Sequence, residues 1–218
     1  MGSIARMAAL ACALLLAGKA WAADCPSFPP AVVHVSVAQV APTYHNDRSR
    51  ASVAQLAGNA LNYHAQQGLT RTQTAFAMTT ILNVAQLAPG RFCMALKEVN
   101  ASWRLSRLDV DIVREQPPGS CPYRVVMEHE NRHVAYAQSL FVSHAENIQA
   151  RLVQLVGENR PLLLNMPLAQ AKIVFRDRLM AGMQPVLAAF DQALARANAA
   201  IDTPENYRLE TAKCPRWN

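Results

Sequence analysis

The densest chemistry in this sequence lies in Met127-Glu128-His129-Glu130-Asn131-Arg132-His133. Two histidines four residues apart, the first followed directly by a glutamate, form the pattern H-E-x-x-H. On a helix, residues i and i+4 stand one turn apart on the same face. Imidazoles so placed can donate nitrogens to one zinc ion at about 2.0–2.1 Å each. The glutamate falls just to the side of the pair. A zinc-bound water has its pKa lowered to about 7. Glu130 is placed to take a proton from such a water and to return it to a leaving amine. His129 and His133 are therefore the expected metal ligands, holding one zinc per chain, and Glu130 the expected acid/base. The competing reading is chemically silent: two surface histidines ion-paired with Glu128 and Glu130.

A catalytic zinc usually takes three protein ligands and one water. The extended pattern with a third histidine is absent, because Tyr136 stands where it needs glycine and Ser139 where it needs histidine. His144 lies eleven residues beyond His133, about 16 Å along a helix axis, too far to share an ion. Glu146 fails for the same reason. A hairpin of two helices turning near residue 162 would set His133 against residue 191 and His129 against residue 195. Asp191 is thus the expected third ligand, with an ordinary polar surface position as the alternative. Glu205 and Glu210 stay open as donors, because a tail can fold back.

These residues need a helix and something to pack it on. Val32 to Val40 alternates apolar and polar residues and predicts a strand. Asp47 or Ser49 can cap a helix running to about Gln67 and stopping at Gly68. Between Thr70 and Val113, apolar residues recur at every second position in Phe76–Leu82, Phe92–Val99 and Leu108–Ile112. This predicts a meander of three half-buried antiparallel strands. Arg124 to Val156 carries neither proline nor glycine and predicts one long helix ended by Gly157. A second helix is expected from near Pro167 to about Ala200, kinked by Gly182 and Pro185. Ile201 to Asn218 reads as an irregular tail. The expected fold class is α+β: an N-terminal strand and helix, an antiparallel meander, then a long C-terminal helical hairpin carrying H-E-x-x-H.

Composition bounds the setting. Residues 1–23 have the layout of a secretory signal peptide: Arg6, an apolar run from Met7 to Leu16, and small residues around Ala20-Trp21-Ala22. The run is too short for a spanning helix of about 20 residues. Cys12 would leave with it. Residues 24–218 would form a single domain, with a strand, helix and sheet part (24–120), a helical hairpin (121–200) and a tail (201–218). The formal charge is +6, and +4 once Arg6 and Lys19 are removed. So modest an excess, without a Lys/Arg run, excludes nucleic acid as the expected partner. No second apolar run reaches spanning length. The mature chain is expected to have no membrane span and to be periplasmic or secreted. Export makes disulfides the expected state of Cys25, Cys93, Cys121 and Cys214. Of the three pairings, Cys25–Cys214 and Cys93–Cys121 are favoured. No C-x-x-C is present to suggest a metal site instead.

The helix bearing HENRH after a sheet resembles the zincin superfamily of zinc metallopeptidases. More narrowly, it resembles a family of secreted bacterial proteins described as zinc-dependent proteases. The matching segments are Val32–Gln67, Cys93 with Arg104–Val113, and Val125–Gln138. H-E-x-x-H is the specific part; the rest is order of elements. The resemblance implies His129 and His133 as ligands and Glu130 as acid/base. In gluzincin- and aspzincin-like members the third ligand is a carboxylate from a second helix, as expected here for Asp191. The family tends to end in a tyrosine, a threonine and a histidine-glycine. Here Tyr207 and Thr211 are followed by Ala212-Lys213-Cys214. The resemblance implies a hydrolase acting on a peptide or protein substrate. The alternative is a zinc-binding or helical binding protein of the cell envelope without catalysis.

Overall fold

The computed structural model describes residues 25–58 and 67–217. The expected signal peptide, and the expected helix over 59–66, lie outside them. Among the described residues nine elements follow in order: β1 (Val32–Gln39), β2 (Thr43–His45), α1 (Arg50–Leu56), β3 (Gly68–Ala88), β4 (Arg91–Ile112), α2 (Cys121–Glu158), β5 (Leu162–Leu164), α3 (Leu168–Ile201) and α4 (Pro204–Thr211).

The expected antiparallel meander is not formed. One long hairpin, β3 and β4, replaces its three short strands, and the sheet around it is mixed. The hairpin turns at Pro89-Gly90, where Gly90 takes φ +75°, a backbone conformation that proline then glycine favour. Register shifts at Gln73/Thr74 and Ile81/Leu82 leave an extra residue on β4, Ser106 and Lys97, and the shift at Gln86/Ala88 leaves Leu87 on β3, so strict alternation is broken. Those bulges made two long strands read as shorter ones. The other edge of β4 is shared end to end by three short strands. β5 pairs antiparallel with Phe92–Met94. β1 pairs parallel with Glu98–Leu105, and β2 parallel with Asp109–Asp111.

α1 begins where expected. The Ser49 hydroxyl accepts a hydrogen bond from the Ser52 amide. It ends at Leu56, before Gly58 with φ +73°. Gly68, the expected helix stop, opens β3 instead.

α2 and α3 pack across one face of the sheet. Ser120 caps α2 by accepting from the Tyr123 amide, and Pro122 sits in the first turn, where no amide hydrogen is needed. Trp103 of β4 stacks on Phe141 of α2 at a 5.2 Å ring separation and meets Phe190 of α3 edge-on at 5.3 Å. All three are buried. α3 carries Pro185 in its interior, and Arg151 of α2 donates to the Gly182 carbonyl beside it at 3.2 Å.

Two disulfides form, with pairings that correct the expected ones: Cys25–Cys93 and Cys121–Cys214. The first ties the N-terminal segment to β4. The second ties the start of α2 to the segment after α4. Cys25 and Cys214 belong to different ends of the fold, so tertiary packing sets the pairing and spacing in the chain does not. Two disulfides suit an oxidising compartment outside the cytosol. Among the described residues no helix is long and apolar enough to cross a membrane.

Candidate metal centre

α2 presents His129, Glu130 and His133 on its inward face, and all three are buried. Tyr44 of β2 donates to Asn131 at 2.7 Å and anchors the motif to the sheet. The facing residues come from the far end of α3 and from α4. Their placement follows from Asp202-Thr203-Pro204. Proline disfavours helical backbone at the residue before it, and Thr203 is extended at φ −100°, ψ 148°. α3 therefore stops with Asp202 as its C-cap. Thr203 caps α4 by accepting from the Asn206 amide, with Pro204 in the first turn. Asp202 thus stands at the corner between two helices, over the histidines.

His129, His133 and Asp202 form a group that could hold a metal ion. The Nε2 atoms of the two histidines are 3.1 Å apart. Asp202 Oδ1 lies 3.0 Å from Nε2 of His129 and 3.1 Å from Nε2 of His133. Donors around a four-coordinate zinc stand about 3.3 Å apart, given bonds of about 2.0–2.1 Å. The triangle is close to that size.

The outward nitrogens decide what the inward ones offer. His133 Nδ1 lies 2.9 Å from Asn198 Oδ1, an acceptor, so Nδ1 carries the proton. His129 Nδ1 lies 3.0 Å from the Glu210 carboxylate, which Arg132 also engages. Arg132 approaches the same nitrogen at 3.0 Å, but it can only donate. A buried carboxylate beside Nδ1 favours the tautomer with Nδ1–H. Both Nε2 atoms then direct lone pairs at Asp202, which offers another. Three lone pairs 3.0–3.1 Å apart repel unless a cation stands among them. Orienting partners of this kind, a carboxylate and an amide oxygen behind the imidazoles, are typical of metal-binding histidines.

A proton on an Nε2 is such a cation, and the local field favours it. Burial works against a charged His133, but hydrogen bonds to Asp202 and Asn198 and the charges of Glu130 and Asp202 prevail and raise its pKa. Burial likewise opposes ionised Asp202, yet hydrogen bonds from His129, His133 and Tyr207 hold its carboxyl far below the usual range. Burial pushes the Tyr207 hydroxyl well above its ordinary value, helped by its 2.8 Å hydrogen bond to Asp202.

Glu130 is not in the triangle. Burial raises its pKa, offset in part by a 2.7 Å hydrogen bond from Thr70 Oγ1 to its Oε2. Gly68 presses on the same side chain. A Cβ there would stand 2.5 Å from Glu130 Oε1 and 2.7 Å from Val126 Cγ1. Gly68→Ala is therefore expected to displace Glu130 and to cost about 1–3 kcal/mol, the usual range for overpacking. A urea melt beside wild type checks this; an unchanged midpoint would show that the contact relaxes freely. A cavity of about 210 Å³ opens over the group, lined by Leu69, Thr70, Glu130, Asn198, Asp202 and Tyr207 among others.

The expected third donor is corrected. Asp191 is exposed and has no place in the group. His133 meets Asn198 where Asp191 was expected, and His129 meets Asp202 where residue 195 was expected: a slip of two turns. The helix bounds are as expected, so the slip lies in the connection, where β5 runs along β4 before α3 begins at Leu168. The tail is not irregular, since α4 brings Tyr207 and Glu210 to the centre. Thr203-Pro204-Glu205 is a helix-start signal, a capping residue followed by proline and an acid, and it would have disclosed this. Glu205 stays outside, paired with Arg208. His144 is a packing residue, donating to the Leu140 carbonyl and meeting Phe190 edge-on. No family model, no curated protein and no solved structure matches this chain.

Proposed function

We propose that the protein is a zinc-dependent hydrolase of the cell envelope or exterior, acting on peptide bonds. The observation that carries this reading is the triangle of lone-pair donors with the buried Glu130 carboxylate beside it. The metal would be held by His129, His133 and Asp202. When bound, zinc supplies a Lewis acid that polarises a carbonyl and brings the pKa of its water to about 7. Glu130 receives the proton as the water oxygen bonds to the peptide carbonyl carbon. It returns that proton to the nitrogen as the C–N bond breaks. Glu130 is buried, so its carboxylate is poorly hydrated and a strong proton acceptor. Leu69 and Thr70 of β3 line the cavity, which suits an extended chain laid along that strand.

Two histidines and one carboxylate also serve iron oxygenases. Glu130 favours the hydrolytic reading, since oxygen chemistry gives a buried carboxylate beside the metal no task. The affinity order of first-row metals likewise places zinc above iron(II).

The test is elemental analysis of purified protein together with cleavage of a fluorogenic peptide library. One zinc per chain, loss of cleavage on chelation and recovery with added zinc are expected. Iron in place of zinc, or no metal retained, would sink the reading. Zinc at one per chain without cleavage would leave a metal-binding protein that is not an enzyme.

A further inference from the structure

Two residues of β3 grip opposite oxygens of the same carboxylate. Thr70 Oγ1 donates to Glu130 Oε2 at 2.7 Å. Gly68, two positions earlier and so on the same face of the strand, leaves room for Oε1 only because it has no Cβ. The metal-binding group is built by α2 and α3, whereas the carboxylate beside it is seated by the sheet.

We infer that Thr70 is the positioning residue for Glu130, fixing Oε2 so that Oε1 alone faces the attacking water. This rests on the hydrolytic reading above. The Thr70 hydroxyl has one hydrogen, and its shortest acceptor is Oε2; the Glu130 carbonyl oxygen is farther, at 3.3 Å. A carboxylate anchored at one oxygen loses rotation about its terminal bond. The other oxygen then meets the water proton in one geometry, without searching for it. In the reaction the water O–H bond breaks, its oxygen bonds to the carbonyl carbon, and the proton goes to Oε1. The same oxygen gives it up to the amine as the C–N bond breaks.

The experiment compares Thr70→Val, which keeps the shape and removes the donor, with Thr70→Ser, which restores a hydroxyl. Both are assayed with a fluorogenic peptide drawn from the library, at metal content matched by elemental analysis. Thr70→Val is expected to lower kcat by about 10–100-fold, the range for losing an orienting partner, with KM changed less than threefold. Thr70→Ser is expected to recover most of kcat. A structural role alone would lower the melting temperature and the active fraction while leaving kcat per active site intact. A Thr70→Val variant within twofold of wild-type kcat overturns the proposal. Crystal structures of wild type and Thr70→Val give a readout independent of turnover. The Glu130 carboxylate should rotate or split into alternate positions in the variant; if it keeps its place, the proposal fails even if no peptide is cleaved. Absence of cleavage by wild type would count against the hydrolytic reading, and the crystal comparison would still decide the positioning.

Discussion

Replacing Glu130 with glutamine is expected to lower kcat by about 10²–10⁴-fold, the usual contribution of a general acid–base, and to leave one metal per chain. The amide matches the carboxylate in size and can still accept from Thr70, so the packing against Gly68 survives. It cannot take a proton from water. Burial raises the Glu130 pKa, because holding its charge out of water is costly. The neutral amide removes that cost, and the melting temperature should not fall. The check is steady-state kinetics beside a thermal melt and a metal assay on the same preparation. A fully active Glu130→Gln would remove Glu130 from the reaction. A variant that loses its metal would make Glu130 a structural part of the centre instead.

Asp202→Asn is expected to weaken metal binding by more than the roughly 10–100-fold that loss of an outer hydrogen-bond partner costs. The amide offers a neutral oxygen where a carboxylate stood, and it weakens the hydrogen bond and removes one of the charges that raise the His133 pKa. Glu210→Gln, acting through His129 Nδ1, should fall within the 10–100-fold range. Asp191→Asn should change nothing, since Asp191 is exposed and outside the group. Competition with a zinc-chelating dye measures all three. Equal affinities for the Asp202 and Asp191 variants would mean that the third ligand lies elsewhere.

How much of this was legible in the sequence divides by the range of the cause. α2 and α3 were legible because helix signals are local: a long run without breakers closed by Gly157, and Pro167 at the start of the second helix. His129, Glu130 and His133 were legible for the same reason, since their relation is fixed within one turn of helix. Asp202 was not. Finding it needed the relative register of two helices, and their connection runs through β5, three leucines pairing with a strand some seventy residues earlier in the chain. The disulfide pairings failed on the same ground, because Cys25 and Cys93 meet only once the N-terminal segment lies along β4. The sheet failed differently. Period-two alternation detects a strand's face, but bulges reset its phase. One bulged strand and two short ones therefore give nearly the same pattern.

Asp202 follows His133 by 69 residues, nearly the whole length of the helical pair. A ribosome releases the two imidazoles long before the carboxylate that completes their set. Ion capture at this group would therefore wait until α3 has docked along α2, and metallation would be a late report on completed packing rather than its nucleus. An excised peptide carrying only α2 would lack Asp202, Asn198 and Glu210, and would hold its ion no better than any pair of histidines one helical turn apart.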